Sequence, residues 1–516
     1  MILENGVVRT LDPSLPVARA LAIAGDHVAG GVGVHETALA SPEVVDLGGR
    51  CVVPGFTDSH VHFPTWALAQ REVKLEDTRT FEEALERIGA AAAAVPAGGW
   101  LRGRGWRAGD WSPATEPTRQ ALDAVTGDTP AAFLARDSHS LWVNSAALAR
   151  ADGLDLAQPG GVVEVDDRGE PTGVLREESA WHFRDHAIEI SDDDYVEAMR
   201  DGLRVCAARG VTCVNDKDGW IGALRLWQRV RREAGLTLRV WQSLPHELVG
   251  GLEEAGIQSG LGDDFLRFGY LKAFTDGALG SGTALMADGR GVQITSRNEL
   301  IEIVRAGTRA RIPVSVHAIG DQANRDALDA FEATRGEWAP LGLRHRIEHA
   351  QILLQGDAER FARIGVAVSC QFSHAPSDRD LAEAAWAGET HRAYAWRTLQ
   401  DAGALLCNGS DAPIEELDPW AGIVAGVLRT LDDRPAWHPE QALTVEEALQ
   451  ATCVNPPWLM GDERRRGKLL PGYLADLVVL DRDPLAIDPE ELPEVRVVAT
   501  MVGGRWVHNP PPWDAS

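Results

Sequence analysis

Between residues 195 and 463 the chain alternates short apolar runs with longer segments in which apolar residues recur every three to four positions. The first pattern predicts buried strands and the second predicts helices covering them, which is typical of a parallel sheet. One such helix is expected from the acidic segment 191–194 to Gly210. The strand candidates are 211–214, 238–241, 270–274, 314–317, 345–349, 366–370 and 404–407.

A further apolar run at 51–56 brings the number of candidate strands to eight. Eight parallel strands close a (β/α)8 TIM barrel and leave no sheet edge exposed. We therefore predict an α/β protein whose barrel comprises residues 51–63 and 195–463. An open, doubly wound sheet is the structural alternative.

Short β-like runs separated by turn residues occupy both ends of the chain, residues 1–50 and 464–516. They predict one small β-sandwich domain built from both termini, with two unrelated appendages as the alternative. Residues 64–194 have no place in the barrel and are interpreted as an insertion after its first strand. Because TIM barrels place their sites at the carboxyl ends of the strands, this insertion is expected to act as a lid.

Composition narrows the function classes. The chain has 516 residues and a net charge of −27, so its field repels nucleic acid. No apolar run approaches the length of a membrane span, and no signal sequence is evident at the start, so we expect a cytoplasmic protein without membrane partners. The six cysteines lack C-x-x-C spacing and are expected to be buried thiols.

Candidate metal ligands follow the predicted strands. His60 and His62 stand two apart after the first strand, and a period of two places both imidazoles on one face. His317, His349 and Asp411 each follow a later apolar run. Imidazole and carboxylate are ligands that suit zinc-type divalent ions. Since the carboxyl ends of barrel strands meet at one mouth, these residues predict a metal site, although buried structural histidines could account for one or two of them.

Several motifs then identify a family. The run P-G-F-T-D-S-H-V-H at 54–62 resembles the signature of the amidohydrolase superfamily, and G-Y-L-A-D-L-V-V-L at 472–480 resembles its C-terminal strand. Similarity to the amidohydrolase-3 group, which includes N-substituted formamide deformylases, rests on strings that span nearly the whole chain, at 100–106, 138–145, 272–281, 317–321, 346–350 and 409–413.

The resemblance implies that His60 and His62 bind one metal and that His317 and His349 bind a second. Lys272 falls where many members carry a carboxylated lysine that bridges the metals. A neutral amine in a dry, cationic site can form such a carbamate. The alternative is an ordinary lysine that reaches a carboxylate such as Asp276, with Glu178 as a reserve oxygen ligand.

Zn²⁺ is the favoured cofactor, with Mn²⁺ or Fe²⁺ as alternatives, and one or two ions are expected. Asp411 is predicted to contact a metal and to act as the general base, while His374 is expected to stabilise the developing oxyanion. The candidate substrate-binding residues are His139, Asn144 and Asp276.

The leading hypothesis is hydrolysis of carbon–nitrogen bonds other than peptide bonds, in N-substituted formamides or cyclic amides. A deaminase or an ester and lactone hydrolase on the same metal centre is an alternative, although the deaminase branch typically has a glutamate where this chain has Gly320. The third hypothesis is a regulatory or binding protein that keeps the fold without catalysis. The expected partner is a small-molecule substrate, and a homodimer is left open.

Overall fold

The computed structural model describes residues 1–29, 43–96, 98–135, 140–159 and 161–513. Its strands are β1 (Ile2–Glu4), β2 (Val7–Arg9), β3 (Val17–Ala18), β4 (Leu21–Ala24), β5 (His27–Val28), β6 (Val44–Asp46), β7 (Cys51–Pro54), β8 (Phe56–Val61), β9 (Val73–Lys74), β10 (Leu101–Trp106), β11 (Ala131–Ala135), β12 (Ser140–Val143), β13 (Gly161–Val165), β14 (Pro171–Glu177), β15 (Val211–Asp216), β16 (Arg239–Pro245), β17 (Leu266–Phe274), β18 (Val314–Ala318), β19 (Arg346–His349), β20 (Ala367–Cys370), β21 (Leu406–Asn408), β22 (Leu477–Leu480), β23 (Val497–Val502) and β24 (Arg505–His508).

The α-helices are α1 (Phe63–Ala69), α2 (Phe81–Ala92), α3 (Arg119–Thr126), α4 (Ser145–Arg150), α5 (Glu178–Ala187), α6 (Asp192–Ala208), α7 (Ala223–Ala234), α8 (Val249–Glu254), α9 (Arg297–Arg309), α10 (Asp321–Trp338), α11 (Ala358–Ile364), α12 (His374–Ala385), α13 (Trp396–Asp401), α14 (Pro419–Leu428), α15 (Val445–Leu449) and α16 (Pro456–Leu459). The chain divides into two compact units, one of Met1–Trp66 and Met199–Ser516 and the other of Ala67–Ala198.

The larger unit contains the barrel. Within the described ranges, eight parallel strands are ordered β8, β15, β16, β17, β18, β19, β20 and β21, which is their order along the chain. A doubly wound sheet would reverse its strand order, so that alternative is wrong and the TIM-barrel prediction is confirmed. Backbone hydrogen bonds from Asp411 N to His60 O (2.7 Å) and from His62 N to Ala412 O (2.9 Å) join the first strand to the segment after the last.

The predicted first barrel strand needs a correction. The run 51–56 is divided at Gly55, and β7 before it pairs with β2 and β22 outside the barrel. The barrel strand is β8, which begins at Phe56. A Cβ at Gly55 would lie only 2.3 Å from Oγ1 of Thr212, so the chain can pass this closely to β15 only without a side chain.

The two small sheets lie outside the barrel strands, and one of them contains strands from both ends of the chain. In the described part, one sheet has the order β5-β4-β1-β6 and the other β24-β23-β22-β7-β2-β3. The strand β22, from the C-terminal part, pairs antiparallel with β7 from the N-terminal part. A common apolar core includes Leu3 and Leu21 from the first sheet and Val52, Leu477 and Met501 from the second.

The smaller unit has its own mixed sheet, ordered β13-β14-β12-β11-β10-β9 among its described residues. Its helix α2 begins after Thr80, whose side chain accepts a hydrogen bond from the backbone N–H of Glu83. Ile88 of α2 packs with Leu122, Phe133 and other apolar residues in a separate core. The boundaries 64–194 and the lid role stay predictions.

Two expectations from composition can be compared with the structure. All six cysteines are buried and unpaired, as the sequence predicts. None of the helices in the described ranges is both long and apolar enough to cross a membrane.

Candidate metal centre

The first two candidate ligands lie at the carboxyl end of β8. The rings of His60 and His62 have centroids 5.6 Å apart. His60 is fully buried, whereas the side chain of His62 is 30% exposed. Nδ1 of His62 lies 2.7 Å from Oδ1 of Asp218. Burial lowers the pKa of His62, but the carboxylates of Asp218 and Asp411 together outweigh it, so the pKa is raised overall.

The carboxylate of Asp411 lies close to four of the histidine side chains. Its Oδ1 is 3.3 Å from Nε2 of His60 and 3.6 Å from Nε2 of His62. Its Oδ2 is 3.9 Å from Nδ1 of His349 and 3.9 Å from Nε2 of His374. The end of β8, the end of β19 and the start of α12, which are far apart in sequence, therefore bring histidines to one carboxylate.

His60, His349 and Asp411 form a group that can hold a cation. One ligand atom from each lies within 4.8 Å of the other two, and all three residues are buried. Burial lowers the pKa of His349 and raises that of Asp411. A neutral imidazole is the form that binds metal. Both His349 (φ +74°) and Asp411 (φ +58°) adopt left-handed backbone conformations, which are strained for these residues and occur often at functional sites.

His317 extends the cluster toward β18. Its ring centroid is 4.5 Å from that of His349, and burial lowers the pKa of His317 to about 3. Nε2 of His317 lies 2.9 Å from the carbonyl oxygen of Gly277. If Nε2 donates to this carbonyl, Nδ1 is the nitrogen with a lone pair for a metal.

Lys272 is buried in β17 without a polar partner. Its Nζ makes no hydrogen bond within the described residues, and it lies 4.8 Å from the ring centroid of Phe274. Burial lowers the pKa of Lys272 to about 8. The contact to Asp276 that would mark an ordinary structural lysine is not formed among the described contacts. A buried amine without a hydrogen-bond partner beside the candidate ligands fits a site in which a non-protein group binds next to the lysine.

A buried ionic network beside the ligands was missed at the sequence level. Glu348 Oε2 lies 2.8 Å from Nδ1 of His60, while Oε1 lies 2.8 Å from Nζ of Lys217 and 2.9 Å from Nε of Arg346. Ser315 also donates to Glu348. Charged residues within or directly after buried strands, in the runs R-I-E-H and N-D-K, are the sequence signal that could have found this network.

Asp58, within the motif 54–62, fixes the position of Asp411. Its Oδ1 accepts hydrogen bonds from the backbone N–H groups of His60 and Ser410, both at 3.0 Å. Gly409 allows this close approach, because a Cβ there would lie 2.6 Å from the backbone nitrogen of His60. The segment before Asp411 is therefore held against β8.

His374 lies beside Asp411 at the first residue of α12. It is buried, and its ring is parallel to that of His349 (6°) with centroids 6.4 Å apart. Nδ1 of His374 is 3.2 Å from Nε2 of Gln351. The amide of Gln351 can donate to Nδ1, and this arrangement leaves Nε2 of His374 facing Asp411.

Asp276 is buried next to the cluster, and its carboxylate is already hydrogen-bonded to backbone groups. Its carboxylate accepts from the backbone N–H groups of Ile319 (3.1 Å), Gly320 (2.8 Å) and Leu285 (2.8 Å). Burial nevertheless raises the pKa of Asp276 to about 7. These contacts hold the segment after β17 against the start of α10, and the substrate-binding role stays a prediction.

The other predicted residues belong to the smaller unit. Asn144 is buried, and its amide accepts from the N–H groups of Ala131 and Ala147 and donates to Thr126 and Thr129. Every hydrogen-bonding group of this side chain is thus used locally, so these contacts lend no support to the substrate role.

The site roles predicted for two further residues of the smaller unit stay predictions. Glu178 is an exposed residue in the first turn of α5, and its role as an oxygen ligand stays a prediction. His139 lies outside the described residues.

Comparison with known proteins decides the family. The model of the amidohydrolase family matches residues 43–508. The chain belongs to the amidohydrolase family. The family recognised from the motifs is therefore confirmed.

This amidohydrolase has relatives that align over almost their whole length. It is 31% identical to the putative amidohydrolase YtcJ of Bacillus subtilis, with 94% of this chain and 95% of the relative covered. It is 29% identical to N-substituted formamide deformylase of Arthrobacter pascens, with 98% and 97% covered. The amidohydrolase also superposes on an uncharacterized metal-dependent hydrolase from Pyrococcus horikoshii with a TM-score of 0.80, at 28% identity, covering 95% and 99% of the two chains.

Proposed function

We propose that the protein is a metal-dependent hydrolase of amide carbon–nitrogen bonds other than peptide bonds, with N-substituted formamides and cyclic amides as candidate substrates. The observation that carries the proposal is the group of His60, His349 and Asp411, whose ligand atoms lie within 4.8 Å of one another. The name of the relative from Arthrobacter pascens supports the formamide class.

The residues present fit a divalent cation. Neutral imidazoles and a carboxylate converge at the barrel mouth, and Lys272 has an orphaned amine beside them. Such donors favour Zn²⁺, with Mn²⁺ or Fe²⁺ as alternatives, and His60, His62, His317 and His349 are enough to hold one or two ions. When bound, a cation of this kind polarises a carbonyl and makes water acidic enough to react at neutral pH.

Asp411 is assigned the proton transfer. Burial raises its pKa above that of an exposed aspartate, which makes its carboxylate a stronger base. It accepts a proton from the attacking water and then donates that proton to the leaving nitrogen, so that a neutral amine departs. His374, whose Nε2 is 3.9 Å from Asp411, is placed to donate a hydrogen bond to the carbonyl oxygen as negative charge develops on it.

Lys272 is proposed to carry a carbamate. The neutral amine attacks carbon dioxide, a C–N bond forms, and one proton leaves to solvent, which yields a carboxylated lysine. A pKa of about 8 keeps much more of this amine neutral near pH 8 than in an exposed lysine. The new carboxylate would supply oxygen ligands for a divalent cation.

Deamination is the weaker alternative, for a steric reason. A Cβ at Gly320 would lie 2.0 Å from the carbonyl oxygen of Leu285 and 2.6 Å from its nitrogen. The glutamate that the deaminase branch places here therefore cannot be accommodated without moving the segment around Leu285. Hydrolysis of esters or lactones and a non-catalytic role remain alternatives that the assay below separates.

The test combines metal analysis with a substrate panel. The purified protein is loaded with Zn²⁺, Mn²⁺ or Fe²⁺, its metal content is measured by mass spectrometry, and release of formate, amine, ammonia or alcohol is followed with formamides, cyclic amides, aminated heterocycles, esters and lactones. We expect at least one metal per chain and turnover of amides.

Controls separate the catalytic centre from general damage. The variant Asp411→Asn should lose turnover, whereas Asp380→Asn, at an 83% exposed side chain, should not. Ammonia release alone would support the deaminase, and preferred turnover of esters would support the ester hydrolase. Less than one metal per chain together with inertness toward the whole panel would support a non-catalytic protein. The homodimer is a separate proposal, which light scattering after size-exclusion chromatography checks.

A further inference from the structure

A row of aromatic rings leads from the candidate ligands toward the protein surface. The centroids of His349 and His317 are 4.5 Å apart, those of His317 and Phe274 are 5.2 Å apart, and those of Phe274 and Trp220 are 5.4 Å apart. Phe274 is half-buried as the last residue of β17, and Trp220 is 47% exposed. The row therefore begins at a candidate metal ligand and ends at solvent.

The backbone holds Trp220 in this row. Trp220 lies in a 3₁₀ turn, Gly219–Ile221, that follows β15, whereas Phe274 ends β17, two strands away. To reach Phe274, the turn must pack against the end of the intervening strand β16. Gly219 permits this, because a Cβ there would lie 2.7 Å from the carbonyl oxygen of Ser243 and 2.8 Å from Cδ of Pro245.

Ordinary core packing does not explain this arrangement. A tryptophan that only fills a core is almost completely enclosed, as Trp227 is. Trp220 packs against Phe274 yet leaves nearly half of its surface in water, at the barrel end where strand-end loops form the sites of such folds. Aromatic side chains commonly line small-molecule sites, and a half-open indole can stack on a planar group of a ligand.

We propose that Trp220 and Phe274 form the subsite for a planar, apolar substituent of the substrate, so that Trp220 determines specificity by stacking on that substituent. This inference rests on the proposed amide hydrolase function. The acyl carbon lies at His349 and Asp411, and the substituent extends past His317 along the ring row. The stacking contact on the substituent is taken to be equally strong in the ground and transition states, which is the case of uniform binding.

The expected kinetic signature follows from that uniform binding. Loss of the stacking partner should raise KM for an aromatic amide and leave kcat nearly unchanged. An aromatic contact of this kind corresponds to roughly a tenfold change in affinity. The ratio of kcat/KM for an aromatic over a small aliphatic amide should therefore fall by about tenfold in Trp220→Ala and should be largely kept in Trp220→Phe.

The experiment compares formanilide with N-methylformamide, which share the same formyl group. Both are assayed with the wild type, Trp220→Ala, Trp220→Phe and Trp513→Ala. The last variant is the matched control, because Trp513 packs edge-to-face against Trp506, with centroids 5.5 Å apart, in the terminal part of the chain. Equal melting temperatures show that the variants fold. The proposal is overturned if Trp220→Ala leaves the ratio unchanged or if Trp513→Ala lowers it as much.

Binding provides a readout that does not depend on turnover. Formanilide is titrated calorimetrically into metal-loaded Asp411→Asn and into the double variant that also carries Trp220→Ala. We expect about tenfold weaker binding in the double variant. If the wild type hydrolyses neither formamide but this difference is found, the proposed function fails and the subsite stands. If binding is equal in the two proteins or absent from both, the subsite is wrong, whatever the activity.

Discussion

The Nδ1 atom of His60 lies 2.8 Å from Oε2 of Glu348, and both side chains are buried inside the barrel. Burial raises the pKa of Glu348, but Arg346 and Lys217 more than offset this, so the pKa is held well below its usual value. Glu348 is therefore a carboxylate, and Nδ1 of His60 is the donor. The lone pair of His60 is then on Nε2, the atom that faces Asp411.

The first prediction concerns this contact. Glu348→Gln removes the charge that balances Lys217 and Arg346 and weakens the acceptor for His60. We expect metal affinity to fall about 10- to 100-fold and the free energy of unfolding to fall by about 3–5 kcal/mol. Competitive metal titration and denaturant unfolding measure the two effects.

The matched control is Glu337→Gln, at an exposed ion pair with Arg305. It should change stability by no more than about 1 kcal/mol and leave metal affinity unaltered. A Glu348→Gln protein that binds metal as tightly as the wild type would show that Glu348 does not orient His60.

The second prediction separates proton transfer from metal binding. Asp411→Asn keeps the shape of the side chain but removes the base, so kcat should fall by about 10²- to 10⁴-fold. Because His60, His62 and the remaining ligands persist, at least one metal should still bind. Steady-state kinetics and metal analysis of the same sample check this, and near wild-type turnover would exclude Asp411 as the base.

The positions of the candidate ligands were predictable from sequence because they depend on one local rule. His60, His317, His349 and Asp411 each stand at or directly after a buried run, and the carboxyl ends of barrel strands meet. Glu348 and Lys217 could not be assigned in this way, since their roles arise only when side chains from different strands meet inside the barrel. Their charge within buried runs was the available signal.

The first barrel strand shows a different limit. Residues 51–56 form a continuous apolar run, so periodicity alone cannot tell that the run serves two sheets. The division at Gly55 is visible only from the pairing of β7 with β22 and of β8 with β15. Trp220 was equally hidden, because its contact with Phe274 spans an intervening strand.

The third prediction concerns Lys272. After exchange with ¹³C-labelled bicarbonate in the presence of metal, the wild type should show a carbamate resonance in the ¹³C NMR spectrum, and Lys272→Met should lack it. Lys74→Met, at an exposed lysine, is the control and should keep the resonance. A spectrum without carbamate in the metal-loaded wild type would leave Lys272 as an uncarboxylated amine.

The fourth prediction gives the C-terminal motif 472–480 a structural role. Asp476 makes a two-point contact with Arg239, with Nε at 2.7 Å and Nη2 at 2.9 Å, and both side chains are buried. Burial raises the pKa of Asp476, but Arg239 and Arg466 together outweigh it and the pKa is lowered overall. The ion pair therefore contributes stability above the unfolded pKa of about 3.9, and this is lost as pH falls through the folded value.

Asp476→Asn should accordingly lower the free energy of unfolding by about 3–5 kcal/mol at neutral pH. The difference from the wild type should shrink in acid, where both states of the wild type protonate Asp476. Urea unfolding at a series of pH values measures this. A difference that is independent of pH down to the acid transition would mean that the effect comes from packing rather than from charge.

The fifth prediction uses two glycines at opposite ends of one helix. Gly320 precedes α10 and lies against Leu285, so that Gly320→Ala must push the segment around Leu285 away and should destabilise the fold by about 1–3 kcal/mol. Gly336, within α10, has open space around its Cβ position, and Gly336→Ala should be neutral or stabilise by up to about 1 kcal/mol. Thermal unfolding compares them. If Gly320→Ala proved as stable as Gly336→Ala, the segment around Leu285 would be able to move, and the steric argument against a deaminating glutamate at this position would no longer hold.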